Sequence, residues 1–556
     1  MHRDRLLLLA FLLSGSASLG YEILWTRLLS IALGSETLGV LAVLSGFFGG
    51  MALGSWWLHG AVRRSPRPVR LFALLEGTAA LFALVSPPWL SWLAQRLPPL
   101  LGPFAGDNDT PLALLLALAA SALALLPGTF CLGGTFAALV EARRRAFRED
   151  SEGRGLGRLY AANTLGATLG ILGTVFLLMP RTGLAGSALL LGLVGLAAAV
   201  LGLVWQARVG TEGRPEAAGT GWLISTESPQ GPRSRSGILA LLCLTGLAGI
   251  GLEVVVVQVL RQLLENTVYT FAALLSVYLV GTAAGAALYS RWARRLEAAG
   301  RARTTTFLLL LQVLTTLLCG WLLAAVPWTL WLLGSAEAWA GDSVAAEFLA
   351  AALAFTLPTV GMGALFSHLM AQMAPQGVGR AYALNTVGGT LAPFIFGAGL
   401  LHTLGYRSAL GLVALLYLVL CLVTARRLRI PALVRWGTAG GLVLVSCWGL
   451  PSLVLVRPPE GWKEIYRAET LHGLVLVSEQ VGGAEGAAPL RRLQVDRARC
   501  SAEETSPSPS AGWGISLCFS SLEPAPLSSS GSGPAPLWER CGTSPSSMWT
   551  PWSWCR

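Results

Sequence analysis

The sequence predicts an all-α polytopic membrane protein in which a six-helix unit occurs twice. Two such units give 12–13 transmembrane helices, which a short β-hairpin and a disordered tail follow. Composition supports the membrane class, because 54% of the 556 residues are hydrophobic and only 12% are charged. The mean hydropathy is +0.61. Apolar runs of about 20 residues, long enough to cross a hydrocarbon core of about 30 Å, recur along the chain.

The first six-helix unit is predicted over residues 1–206. Its apolar segments lie near residues 6–28, 36–58, 71–95, 112–139, 159–180 and 183–206. The opening segment could be a secretory signal, because it has a basic start and small residues near the end of its apolar run. We expect it to be retained, since the same type of sequence recurs in the middle of the chain.

The second six-helix unit is predicted over residues 238–430, after a polar stretch at 207–237 that is predicted to be a cytoplasmic linker. Its apolar segments lie near residues 238–263, 267–289, 305–334, 344–372, 381–404 and 408–424. A thirteenth apolar segment occupies residues 431–457. This segment either lies in the interface or re-enters, or it carries the rest of the chain out of the cytoplasm, and both alternatives stay open.

The two units are copies of each other. SGSASLGYEILWTRLL at residues 14–29 aligns with TGLAGIGLEVVVVQVL at residues 245–260, and GRLYAANTLGATLG at 157–170 aligns with GRAYALNTVGGTLA at 379–392. Because each unit has an even number of helices, both copies enter the membrane from the same side. They therefore predict parallel repeats like the two halves of major-facilitator transporters, with functional sites near the midplane between them.

The distribution of arginine predicts the orientation in the membrane. Basic stretches alternate with acidic or neutral ones: the basic stretches are residues 61–70, 141–150, 291–303 and 425–429, and those between them include 106–110 and 335–343. This positive-inside pattern predicts a multi-pass protein of a bacterial inner (cytoplasmic) membrane with a cytoplasmic N-terminus. The net charge of +11 therefore reflects topology, and we expect no nucleic-acid partner.

Two glutamates are the main candidates for a functional role inside the membrane. Glu22 and Glu253 occupy equivalent positions in the first helix of each unit, and a carboxylate in an apolar helix usually faces a cavity or a partner. One interpretation places Glu22 near the outer interface, where Arg27 helps it and Trp25 is an interfacial anchor. The other gives both glutamates a role in facing a cation.

Further candidates are paired between the fifth helices of the two units. They are a tyrosine and an asparagine from each unit: Tyr160, Asn163, Tyr382 and Asn385. Each asparagine precedes a threonine, and hydrogen bonding between helices is the interpretation that we favour over substrate binding. The nine cysteines are scattered without CxxC or Cys/His spacing, so we predict no metal site.

Residues 460–496 have the pattern of a β-hairpin, in which LHGLVLVSE and LRRLQVD are strands and GGAEG is a turn. With LGYEILWTRLL and GRLYAANTLGATLG, this region resembles bacterial proteins in which a polytopic, major-facilitator-like membrane region is fused to a spermidine-synthase (polyamine aminopropyltransferase) domain. The resemblance assigns residues 458–497 to the N-terminal β-portion of the synthase. Glu469 and Gly473 fit the family's E-x-x-Y-G stretch, and His472 stands where tyrosine is usual.

Residues 498–556, rich in Ser, Pro and Gly, are predicted to be a disordered tail. A synthase should continue with a glycine-rich loop and a strand that ends in an acidic residue. Another reading frame of the tail permits both, which predicts a frameshift near residues 498–500. The resemblance then implies that this chain has no catalytic and no cofactor-binding residues. Decarboxylated S-adenosylmethionine would be the co-substrate only of an intact family member.

Three functions are compatible with these features. The main hypothesis is a membrane-bound spermidine-synthase-like protein that is inactive because its catalytic domain is truncated. The alternative is a membrane transporter or binding protein for polyamines, such as putrescine or spermidine, or for other cations. The third is a membrane anchor without activity. Glutamates that share a cavity would favour the transporter, whereas glutamates that face lipid would favour the anchor.

Overall fold

The computed structural model describes most of the helical part of the chain and a portion of the C-terminal part. The described residues are 2–33, 36–105, 111–146, 152–209, 232–262, 268–298, 300–332, 343–373, 378–426, 428, 438, 440–442, 449–456, 458, 461–470, 473–481, 491–495 and 498–502.

The chain folds into a bundle of long helices. In chain order these are α1 (His2–Leu33), α2 (Glu36–Arg64), α3 (Pro68–Ala105), α4 (Pro111–Ala146), α5 (Glu152–Gly173), α6 (Met179–Val209), α7 (Pro232–Leu260), α8 (Val268–Ala298), α9 (Arg301–Leu332), α10 (Ser343–Met373), α11 (Val378–Ala392) and α12 (His402–Ala425). Two π-helical stretches, Thr174–Leu178 and Pro393–Leu401, join α5 to α6 and α11 to α12.

The outer surface of the bundle is suited to lipid. Eleven helical stretches within the described residues are long and apolar enough to cross a membrane. Large apolar side chains on these helices point outwards: Trp57, Leu74 and Leu123 are 74%, 65% and 68% exposed. An apolar surface of this kind is unfavourable in water and favourable in a bilayer. The protein is therefore a multi-pass membrane protein.

One of the eleven stretches, Leu159–Arg208, is 50 residues long and contains a break at Gly183. A straight helix of this length would measure about 75 Å, far more than the hydrocarbon core of about 30 Å. Gly183 has a φ of 66°, which glycine adopts without steric cost. Because α5 and α6 both pack against α1, the chain doubles back here and crosses the membrane twice.

The second unit has the same turn at the equivalent place, where Gly405 has a φ of 77°. Each unit therefore crosses the membrane six times within the described residues. The first unit is held by contacts of α1 with α5 and α6, of α2 with α4, and of α3 with α4 and α6. The second is held by contacts of α7 with α11, of α8 with α10, and of α9 with α10 and α12.

The two units meet along two equivalent seams, α2 with α11 and α5 with α8. The duplication makes α8 the counterpart of α2 and α11 the counterpart of α5, so each seam is the copy of the other. This relationship is expected for two parallel repeats about an axis along the membrane normal. The predicted duplicated six-helix architecture is thus confirmed.

The C-terminal part contains a four-stranded antiparallel sheet in the order β1-β2-β3-β4. The strands are β1 (Trp462–Thr470), β2 (Gly473–Gln480), β3 (Arg491–Val495) and β4 (Ala498–Ala502). The predicted hairpin corresponds to β2 and β3, and β1 and β4 add a strand on each side. β4 pairs with β3 in residues that the sequence assigned to the disordered tail.

Several predicted segments lie partly outside the described residues. Of the linker, only the flanks are described, and these are helical: α6 continues to Val209 and α7 begins at Pro232. Of the thirteenth apolar segment, residues 438, 440–442 and 449–456 are described. The predicted tail lies outside the described residues from residue 503 onwards.

Candidate functional site

A cavity of about 220 Å³ lies between the two units. Its walls come from four helices of each unit, namely α1, α2, α4 and α5 and their counterparts α7, α8, α10 and α11, with Tyr417 of α12 added. The cavity therefore follows the internal symmetry of the chain. A site between the repeats is where transporters of this architecture bind substrates.

The two candidate glutamates both lie on the cavity wall. Glu22 of α1 is 1% exposed and Glu253 of α7 is 3% exposed, and both side chains line the same cavity. Neither carboxylate oxygen of Glu22 has a hydrogen-bond partner. None of the described residues that line the cavity is an arginine, lysine or histidine. The cavity therefore holds acidic groups without a basic side chain opposite them.

The candidate tyrosines join the two units through aromatic contacts. Tyr160 of α5 lies 5.6 Å, between ring centroids, from Phe366 of α10. Tyr382 of α11 stacks at 5.3 Å on Phe136 of α4. These are two copies of one contact, because each pairs the fifth helix of one unit with the fourth helix of the other. Sequence analysis missed both phenylalanines.

The candidate asparagines lie where the first and fifth helices of each unit touch. Asn163 packs closely on Gly15 of α1, and Asn385 packs in the same way on Gly246 of α7. The Asn385 Nδ2 group also donates a hydrogen bond of 2.9 Å to the carbonyl oxygen of Leu242. Both asparagines line the cavity as well, so they can hold the helices together and present amide groups to a substrate.

Trp25 and Arg27, which were expected to lie with Glu22 near the outer interface, do not line the cavity with it. Trp25 is 0% exposed, and its indole Nε1 donates a hydrogen bond of 2.9 Å to Ser86 Oγ inside the first unit. Trp25 is therefore not an interfacial anchor. Arg27 is partly exposed and is not among the described residues that line the cavity. The structure thus separates Arg27 and Trp25 from the wall on which Glu22 lies.

A third buried glutamate lies directly behind the cavity. Glu76 of α3 is 0% exposed and accepts a hydrogen bond of 2.7 Å from the hydroxyl group of Ser14, which lines the cavity. The third helix of the second unit, α9, also has a buried polar side chain: Gln312 is 0% exposed, and its Nε2 group donates to the Pro358 carbonyl oxygen at 3.2 Å. The third helix of one unit thus has a buried carboxyl group and that of the other a buried amide.

We expect exchanges between these two positions to have opposite effects on stability. Glu76→Gln keeps an acceptor for Ser14 and removes a buried charge, so its melting temperature should equal or exceed that of the original protein. Gln312→Glu loses the donor to Pro358 and places two acceptors together, which costs about 1–3 kcal/mol. Thermal unfolding in detergent measures both. A Gln312→Glu variant as stable as Glu76→Gln would contradict this reasoning.

The described residues of the cavity do not include a compact set of metal ligands. Among the described residues there is no group of three or more His, Cys, Asp or Glu side chains that could hold a metal ion. The cavity offers two carboxylates, tyrosine and threonine hydroxyl groups and the thioether sulfurs of Met51 and Met362. A permanent metal site needs more ligands in a defined geometry.

Comparisons with known proteins give a match only among solved structures. No protein-family model matches the chain, and no curated protein is similar to it. A crystal structure of a bacterial homologue of the iron transporter ferroportin, in an outward-facing state, aligns with a TM-score of 0.49 and 18% identity over 77% of this chain and 99% of that chain. The same kind of homologue with soaked iron aligns with a TM-score of 0.47 and 18% identity, over 76% and 98%.

The predicted membership of the spermidine-synthase family is wrong. No family model or curated protein supports it, and the similar structures are those of a transporter homologue. Synthase activity, a role in polyamine biosynthesis and the frameshift are no longer supported, since all three depended on that family. The residues that suggested the family have structural roles in this fold. Tyr160 and Asn163 line the cavity, and Glu469, which fits the synthase strand motif, contacts α12.

Proposed function

We propose that the chain is a membrane transporter for cations that works by alternating access of its two six-helix units. Glu22 is the observation that carries this proposal. Its carboxylate is buried without a hydrogen bond, and it shares a cavity with Glu253 and no described basic side chain. Burying an uncompensated carboxylate costs several kcal/mol. A proton offsets this cost when the cavity is empty, and a cation that enters takes the place of the proton.

The position of the cavity supports alternating access. It lies at the boundary of two units that meet along the α2–α11 and α5–α8 seams. In transporters with parallel repeats, one repeat rocks against the other around a fixed site. The ring contacts of Tyr160 with Phe366 and of Tyr382 with Phe136 cross this boundary. Apolar ring faces can slide past each other without leaving a polar group unsatisfied.

The orientation in the membrane belongs to the same proposal. The arginine-rich stretches at residues 61–70 and 141–150 flank the ends of α2 and α4, and both precede turns on the side where α1 begins. By the positive-inside rule this side is the cytoplasm, and the membrane is the inner membrane of a bacterium. The substrate would then move between the cytoplasm and the opposite side.

The chemistry of the cavity fits substrates with two positive charges. A diamine or a polyamine could place an ammonium group on each carboxylate and its methylene groups on the aromatic rings. A divalent metal ion could use the same carboxylates with hydroxyl oxygens and a thioether of Met51 or Met362. The similar solved structures are of a homologue of an iron transporter, so Fe²⁺ belongs among the ions to be tested.

Transport by the full chain in proteoliposomes tests the proposal. Uptake of radiolabelled putrescine, spermidine, Fe²⁺ and Mn²⁺ would be measured with and without an opposing proton gradient. We expect saturable uptake of one cation class, competition by other dications, and no competition by an anion such as glutamate. If no cation is taken up, and none raises the melting temperature, the chain is a membrane anchor and the proposal fails.

A further inference from the structure

The two ends of the bundle can be told apart through α11. The end where α1 begins is called the near end, and the opposite end is called the far end. α2 returns to the near end, where Gly379 at the start of α11 packs against His59. α11 therefore begins at the near end, and the chain reaches Gly405 at the far end. α12 then runs back from Tyr406 to Ala425 at the near end.

The chain is at the far end again at Leu450. This side chain is 2% exposed and packs against Gly320 of α9, which also contacts Leu410 in the first turns of α12 after Gly405. Ala425 and Leu450 therefore lie towards opposite ends of the bundle. The 24 residues between them exceed the length of about 20 residues that a crossing needs.

Gln262 holds the stretch that follows Leu450. Gln262 is the second residue after the end of α7, at the far end, and is 1% exposed. Its Nε2 group donates a hydrogen bond of 2.9 Å to the Leu453 carbonyl oxygen, and its Oε1 atom accepts one of 2.8 Å from the Leu455 N–H group. One amide side chain thus satisfies a backbone acceptor and a backbone donor of the same stretch.

Glu469 of β1 holds the sheet. Its Oε2 atom accepts a hydrogen bond of 2.6 Å from the Tyr406 N–H group, which is at the beginning of the part of α12 that follows Gly405. A carboxyl group at a helix N-terminus satisfies a free donor and interacts favourably with the helix dipole. The carboxyl group also lies so close to Gly405 that a Cβ atom at this position would collide with it.

The first unit provides an internal comparison. Gly183 is the counterpart of Gly405, and a Cβ atom added to Gly183 would meet nothing within 4 Å. The turn of the second unit is therefore covered, whereas the equivalent turn of the first unit is open among the described residues. The contact of Glu469 with the turn at Gly405 is therefore not a feature of the repeated unit. It is added by the C-terminal part of the chain.

We propose that residues 450–456 and the sheet form a cap that Gln262 and Glu469 anchor to the far end of the second unit, and that the chain crosses the membrane once more between Ala425 and Leu450. The anchoring contacts are with Gln262 after α7, with α9 and with α12, which all belong to the second unit. The cap consequently moves with that unit, and its described residues leave the α2–α11 and α5–α8 seams free. The sheet then lies on the side of the membrane opposite to the start of α1.

Cysteine labelling of the full chain in intact cells tests the crossing. In a variant without the native cysteines, Tyr466→Cys marks the sheet and Arg67→Cys marks the near end, and both original side chains are exposed. We expect a membrane-impermeant maleimide to label Tyr466→Cys directly and Arg67→Cys only after permeabilisation. If Arg67→Cys is labelled directly and Tyr466→Cys only after permeabilisation, the crossing stands and the orientation in the membrane is reversed. Labelling of both from the same side would overturn the crossing.

Hydrogen–deuterium exchange of the purified full chain tests the anchor. Burial raises the pKa of the Glu469 carboxyl group, although the Tyr406 N–H group and Arg467 both act to lower it. Glu469→Gln keeps the acceptor and removes the buried charge, so it should keep the protection of β1 and of the start of α12. Glu469→Ala should speed their exchange by about tenfold or more.

Glu464→Gln is the matched control for the anchor. It makes the same change on the same strand, where Glu464 pairs with Arg467 at 2.6 Å on the exposed side. Exchange in this variant should equal that of the original protein. If Glu469→Ala exchanges as slowly as Glu464→Gln at β1 and at Tyr406, Glu469 does not anchor the sheet and the proposal is overturned.

Discussion

Neutralising both cavity carboxylates should abolish cation uptake. In Glu22→Gln and Glu253→Gln the amide keeps the shape of the side chain and removes its charge. Two opposite charges about 4 Å apart attract each other by about 4 kcal/mol at the effective dielectric constant of a protein site, before the cost of removing water. We expect each single variant to lose at least about tenfold in apparent affinity, or about 1.4 kcal/mol, and the double variant to show no saturable uptake.

Stability measurements distinguish this effect from misfolding. Because the two carboxylates are buried in one cavity, the double variant should melt at the same temperature as the original protein or at a higher one. Glu141→Gln is the control for charge: Glu141 pairs with Arg145 at 2.8 Å near the end of α4, away from the cavity. Its uptake should be unchanged. Saturable uptake by a well-folded double variant would remove the glutamates from the mechanism.

The fold could be predicted largely from the sequence, because apolar length and internal similarity are properties of the chain itself. The alignment that pairs Glu22 with Glu253 requires both residues to occupy equivalent places in the fold. The segment boundary predicted between residues 180 and 183 lies beside the turn at Gly183. These features depend on the order of residues along one helix, which a single sequence shows directly.

The contacts between helices could not be predicted in the same way. Helices that are apolar on every side show no amphipathic stripe, so the sequence does not reveal which face meets a neighbour. Trp25 near the end of an apolar run was therefore assigned to an interface, whereas it is buried against Ser86. Phe136 and Phe366 carried a usable signal, because each follows a glycine, Gly133 or Gly363, by three residues in the fourth helix of its unit.

Glu469 shows how a family resemblance can hide a structural role. The residue fits a strand motif of the synthases, but in the structure its carboxyl group accepts a hydrogen bond from the Tyr406 N–H group. That contact joins β1 to a turn 63 residues earlier in the chain. A single sequence gives no signal for a pairing over this separation, because it depends on the path that the chain takes around the bundle.

The same substitution at two glycines of α2 should change stability in opposite directions. At Gly54 an added Cβ atom would collide with the backbone carbonyl group of Phe130 in α4, which cannot move aside as a side chain can. The helices would have to separate, so we expect Gly54→Ala to lose about 1–3 kcal/mol of stability. Gly285→Ala should behave alike, because Val360 of α10 occupies the equivalent place against α8.

Gly60→Ala is the matched substitution on the same helix. A Cβ atom there would meet nothing within 4 Å, and alanine favours a helix over glycine by about 1 kcal/mol. In one detergent, the melting temperature of Gly54→Ala should therefore be lower than that of the original protein. The melting temperature of Gly60→Ala should be equal to that of the original protein or higher. Equal melting temperatures would mean that α2 and α4 are not in contact at Gly54. The wall of the cavity that these two helices form would then need a different arrangement.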